Sequence, residues 1–223
     1  MTTSPPEFDF YTYIHKSLRR QIFDVVAAAG ALDFTSRSEL MSFAAQFERL
    51  LGNLRAHGQH EDEFLHPVLA RYMPEAAERF GSAHAKQEAW LHVLLQQYQQ
   101  AQAAHSVEEA AAWLRDLGRF AGYYLVHLAE EEDLTGQLNA TAPREELTSA
   151  MAAFQASRTP DEITRDLVLM LPALNKQDQL AILGRLKATA STAFIFVMDV
   201  ARRVLDERRM AALETELGVE STG

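Results

Sequence analysis

The sequence predicts an all-α protein: an up-down-up-down four-helix bundle with additional helices at its C-terminus. Three observations predict it. Ala, Leu, Glu, Gln and Arg dominate, while the 10 Gly and 7 Pro among 223 residues fall mostly between periodic segments. No stretch alternates apolar and polar residues long enough to build a half-buried strand. Four long segments instead carry apolar residues at steps of three and four, and histidine or glutamate interrupts each stripe near one end.

The first helix is expected over residues 8–29, stopped by Gly30, with Tyr11, His15, Leu18, Ile22, Val25 or Val26, and Ala29 on its inner face. The second starts at a Ser36 or Ser38 cap and buries Leu40, Phe43, Phe47, Leu50 and Leu54, then His57, Glu61 and Phe64. Pro67 disturbs that helix, because proline lacks the N–H that the ladder needs. The third follows Pro74 and runs to about His105, with a face of Phe80, His84, Glu88, Leu91, Leu95 and Tyr98. The fourth is expected to begin at Ser106, an N-cap whose spacing to Glu109 fits a capping box, and carries Trp113, Leu117, Phe120, Tyr124, His127, Glu131, Leu134 and Leu138. The stretch from Asn139 to Pro143 marks a boundary between a bundle over 8–139 and an extension over 140–223. Four shorter helices are expected beyond it, over 144–157, 160–171, 175–187 and 192–217. Residues 193–198 are apolar all round, so the bundle or another subunit must cover them. Packing back onto the bundle is the simpler expectation, and a homodimer through these helices is the alternative.

Composition removes several function classes. A net charge of −10 with 21 scattered basic residues argues against a nucleic-acid partner, which needs clustered Lys and Arg. With no cysteine there are no disulfides, thiolate ligands or thiol redox chemistry. The opening Met-Thr-Thr-Ser-Pro-Pro-Glu lacks the basic and apolar blocks of a signal peptide, and no apolar run approaches the ~18 residues of a membrane span. A soluble, cytoplasmic protein with no membrane partner is the expectation.

The polar interruptions carry the chemistry. His57 and Glu61 are four residues apart, which on a helix puts them on one face roughly 6 Å apart along the axis. A buried carboxylate without compensation costs several kcal/mol, and either a His–Glu hydrogen bond or a metal ion would compensate it. His127 and Glu131 repeat the spacing on the fourth helix. His15 and His84 fall near the starts of helices one and three, and the two His-x-x-x-Glu pairs near the ends of two and four. In an up-down-up-down bundle those four positions share one layer. Four imidazoles and two or three carboxylates there make a metal site with donors enough for two ions, suited to iron, manganese or zinc. None of the eight histidines lies beyond His127, so the chemistry belongs to the first part of the chain.

Taken in order, His15-Lys-Ser-Leu-Arg-Arg, His57-x-x-x-Glu61-Asp with the following Phe-Leu-His-Pro, His84, and His127-x-x-x-Glu131-Glu resemble the hemerythrin-like (HHE) cation-binding family over roughly residues 8–139. The resemblance implies a four-helix bundle around two non-haem iron ions, bridged by carboxylates and an oxo or hydroxo group. It makes His15, His57, His84 and His127 terminal ligands, and Glu61 and Glu131 the bridging carboxylates. It also implies a small diatomic or peroxide ligand: oxygen, peroxide or nitric oxide, bound or reduced, with oxidase- or peroxidase-like activity in range. A sensor read by a partner surface, and iron buffering without turnover, are the alternatives. One departure stands out. Oxygen carriers of the family have His-x-x-x-His on the third helix, whereas this chain has His84-x-x-x-Glu88. Glu88 is therefore expected as a seventh ligand that disfavours reversible oxygen carriage, with His92, one turn on, as its substitute.

The remaining candidates weigh less. His60 lies about 100° around the helix from Glu61 and is expected in solvent; His66 and His105, beside helix ends, read as surface residues. His60-Glu61 does not open a zinc-protease His-Glu-x-x-His motif, because Phe64 takes the second histidine's place. Tyr11 and Tyr124 each adjoin a candidate ligand on the same stripe, as core packing or as hydrogen-bond donors to whatever the metal binds.

Overall fold

Several helix starts in this chain are written in its capping residues. Ser36 Oγ accepts the Glu39 N–H, and Ser106 Oγ accepts the Glu109 N–H. Thr159 with Glu162, and Asn175 with Asp178, form reciprocal capping boxes. The computed structural model describes residues 8–104 and 106–219; the N-terminal seven residues and His105 lie outside them. Among the described residues every regular element is helical: α1 Thr12–Gly30, α2 Arg37–His60, a π-helical turn Glu61–Leu65, α3 His66–Tyr72, α4 Pro74–Ala104, α5 Val107–Thr141, α6 Arg144–Ser157, α7 Pro160–Met170, a 3-10 turn Leu171–Ala173, α8 Lys176–Thr189, α9 Ser191–Val204 and α10 Glu207–Leu217. The all-α expectation holds. The long helices α1, α2, α4 and α5 run up-down-up-down, and shorter helices follow.

Three boundaries differ from the sequence reading, each for a local reason. The chain enters α1 only at Thr12, because Asn139 on α5 holds the backbone of Phe8 first. The Phe8 N–H donates to Asn139 Oδ1 at 2.7 Å, and Asn139 Nδ2 donates back to the Phe8 carbonyl at 2.8 Å. Around Pro67 the helix widens instead of ending: the His66 N–H reaches the Glu61 carbonyl, five residues back, and closes the π turn. The expected last helix is two. Leu205 is extended, and Asp206 restarts the chain by accepting the Arg209 N–H at 2.9 Å.

The described residues divide into two compact units: 8–11 with Leu18–Ala156, and Thr12–Ser17 with 157–219. The first is held by a column of buried apolar side chains that includes Leu18, Ile22, Phe43, Phe47, Leu54, Leu91, Tyr98, Trp113 and Phe120. Each contributes about 1.5–3 kcal/mol on burial, the aromatics at the upper end. A second apolar cluster in this unit joins Tyr11, Leu65, Leu69, Phe80 and Leu138 to Leu147 and Ala150 of α6. Helix α6, placed after the boundary by the sequence reading, thus packs with the bundle. The C-terminal unit has its own core of Leu167, Leu171, Leu183, Val197, Met198, Val200, Ala201, Leu205, Met210 and Leu213. Within the apolar segment 193–198, Val197 and Met198 are buried there and Phe194 and Phe196 pack against that core, within its own unit, while Ile195 stays exposed.

Candidate metal centre

Between the two apolar clusters of the bundle lies a polar layer. Tyr11 stands just before α1, with His15 and Leu18 on it; Leu54 is followed by His57, Glu61 and Leu65 through α2 and the π turn, Phe80 by His84 on α4, and Tyr124 by His127 and Glu131 on α5. All six donors are buried, from His15 at 0 % and Glu131 at 1 % to His57 at 8 % exposure. His15 sits one turn before Leu18 on the unbroken α1.

The donor atoms converge. The ligand atoms of His15, His57, Glu61 and Glu131 lie within 4.8 Å of one another, and so do those of Glu61, His84, His127 and Glu131. Glu61 Oε1 is 3.3 Å from His57 Nε2, and its Oε2 is 3.3 Å from His84 Nε2. Glu131 Oε1 lies 2.9 Å from His127 Nε2 and 3.3 Å from His84 Nε2, and the two imidazole nitrogens are 3.0 Å apart. These residues fit a metal. Two donors at ~2.1 Å from one ion and at right angles about it are separated by about 3 Å, the spacing found here. Imidazole nitrogen mixed with carboxylate oxygen is a set for iron, manganese or zinc.

Burial opposes protonation of His84, but Glu131, Glu61 and Asp62 around it outweigh burial and raise its pKa to about 10. Burial, then the charges of Glu61 and Glu131, push the Tyr11 and Tyr124 phenols well above their usual value, so both stay neutral. The Phe80 ring lies 5.6 Å from that of His127, and Tyr124 6.0 Å from it. The Tyr124 hydroxyl points to the Leu54 carbonyl at 3.5 Å.

One expected ligand is misplaced. Glu88 is half exposed and paired with Arg55 at 2.8 Å, outside both donor groups. Both residue 87 and residue 88 lie within a turn of His84, and the pattern over four turns chooses between them. The buried face of α4 repeats every seven residues, Phe80, Gln87, Leu94 and Ala101, with His84, Leu91 and Tyr98 between. Gln87 takes the inner position, and Leu94 replaces the expected Leu95 in the core. His92 is exposed and also outside the groups. His60 is half-buried against the Phe154 ring, 5.2 Å away, so it is not a free surface group.

The sequence reading gives Asp62 no role and puts His66 at the surface. Asp62 and His66, also four apart, meet His84 from the side away from the layer. Asp62 Oδ1 lies 2.7 Å from His84 Nδ1 and 2.8 Å from His66 Nδ1. His66 was expected at the surface, yet its side chain is only 12 % exposed. Burial first, then the charge of His84, lowers its pKa. The repeated i,i+4 spacing was the available signal. Gly58 of α2 adjoins the same ring: a β-carbon there would sit 3.6 Å from His84 Cγ, an ordinary contact.

No curated protein and no solved structure matches the chain. A family model does: the hemerythrin HHE cation binding domain matches residues 8–138.

Proposed function

Because the chain belongs to the hemerythrin HHE cation-binding family, we propose that its buried layer holds two non-haem iron ions and binds or reduces oxygen, peroxide or nitric oxide. One observation carries the number two: the two donor groups are separate in their histidines and share both carboxylates, Glu61 and Glu131. His15 and His57 serve one ion, and His84 and His127 the other. Glu61 spans them, since its two oxygens already face imidazoles of different groups.

Bound iron supplies one-electron redox chemistry and positions open to a small ligand. The chain supplies the rest. Six protein donors, with Glu88 excluded, leave more of the coordination shell open than seven would. Phe80 and Tyr124 flank His127 and exclude water, which strengthens every charge interaction in the layer. The phenols of Tyr11 and Tyr124 stay neutral beside the two carboxylates, and the Tyr124 hydroxyl donates to the Leu54 carbonyl.

Metal analysis with the optical spectrum of anaerobically purified protein, before and after air, tests this reading. Two irons per chain and a spectrum that changes in air are expected. Zinc with no response to air, or iron far above two per chain, would overturn it.

A further inference from the structure

Asp62 follows Glu61 in the π turn, and the two carboxylates grip opposite nitrogens of one imidazole: Glu61 Oε2 faces His84 Nε2 at 3.3 Å, and Asp62 Oδ1 faces Nδ1 at 2.7 Å. The same Asp62 oxygen is 2.8 Å from His66 Nδ1, and the His66 ring stacks on that of His84 with centroids 5.0 Å apart and planes 3° apart. The ligand atoms of Asp62, His66 and His84 gather within 4.8 Å, as the inner groups do, and this could be taken for a third ion site. The chemistry of His84 argues otherwise. A neutral imidazole that turns a bare Nε2 to the inner layer keeps its proton on Nδ1, and that N–H calls for an acceptor, not a cation. An ionised carboxylate only accepts, and Asp62 is in place to do so.

The neighbouring ligand has no such support. His127 Nε2 meets His84 Nε2 at 3.0 Å, but His127 Nδ1 finds no hydrogen-bond partner among the described residues. The two imidazoles of one donor group are therefore unequal.

We infer that Asp62, braced by His66, is a positioning residue: it locks His84 as the Nδ1–H tautomer, aims Nε2 at the metal and makes His84 the stronger donor of the His84–His127 pair. A carboxylate drawing on the Nδ1 proton raises the basicity of the far nitrogen, an effect typically worth 10–100-fold in metal affinity. This rests on the reading of His84 as a ligand.

The test uses the full chain loaded with Zn(II). Affinity is measured by competition with a chromophoric chelator, and the His84 tautomer by nitrogen-15 NMR. Asp62 has a side chain 48 % exposed, so replacing it leaves the core intact. Asp62→Ala should weaken Zn(II) binding about 10–100-fold and move the His84 Nδ1 resonance away from that of a strongly hydrogen-bonded N–H. Asp62→Asn, whose amide oxygen still accepts, should keep the tautomer and lose less affinity. Glu63→Gln removes the same charge from an exposed neighbour on the same turn and should change neither reading. Equal affinities for Asp62→Ala and Glu63→Gln, with His84 unmoved, would overturn the inference. Unchanged stoichiometry in His84→Ala would overturn the ligand reading beneath it.

Discussion

At the scale of residues, the site separates donors from look-alikes by burial and convergence. His57→Ala or His127→Ala should reduce bound metal to one ion per chain or fewer. Each substitution also takes one imidazole from a buried carboxylate that His84 still faces, and should lower the melting temperature of the metal-free protein. Glu88→Ala and His60→Ala should leave metal content at the parent value, as read by elemental analysis. The Arg55–Glu88 pair is exposed, so its loss should move stability by less than about 1 kcal/mol. His84 gives the pH dependence. Its folded pKa, about 10, lies above the ordinary 6.5, so in metal-free protein its contribution is complete below 6.5 and disappears as pH rises through 10. The melting temperature of metal-free protein should fall across that window, while metal affinity rises as protons cease to compete. A metal-free melting temperature that climbs between pH 6.5 and 10 would count against this. The burial of six polar side chains in one layer was legible in the sequence because each stood where an apolar residue belonged. Glu88 was misjudged because a single i,i+4 step cannot fix a helix's phase; the seven-residue repeat through Gln87 can.

At the scale of elements, stops and starts decide how the layer is assembled. The caps at Ser36 and Ser106 were readable because a short polar side chain, three residues before an acceptor-seeking N–H, is a local signal. The π turn was not, since Pro67 announces a disturbance but not that the ladder will widen upstream of it. That widening puts Glu61 and Asp62 against the two nitrogens of His84. The break at Asp206 was readable in principle. Asp206→Ala should destabilise the C-terminal unit by about 0.5–2 kcal/mol, measured by chemical denaturation, and leave metal content unchanged.

At the scale of the molecule, the bundle reading survives with its lower edge redrawn. Leu147 and Ala150 of α6 belong to the apolar cluster beneath the polar layer. A chain ended after Ala142 should therefore expose Leu65, Leu69 and Leu138 to water, and melt at lower temperature than one ended after Ser157. Equal melting temperatures would return the boundary to 139. The sequence could place α6 as a helix, but its partner was not legible, because a modest apolar stripe does not say which face it meets. Nor was the closure of residues 193–198 within their own unit, which depends on contacts between helices far apart in sequence.

The depth of the six donors also has a kinetic consequence. Every one is under 9 % exposed, so a chelator outside could not touch an ion held there while the bundle is closed. Removal must wait for the helices to part, and such partings are local opening events with their own free energy. Once the chelator is concentrated enough to catch every opening, the rate of metal loss should stop rising with chelator and report how often the bundle breathes. An ion held there would then serve as a clock for the protein's own fluctuations.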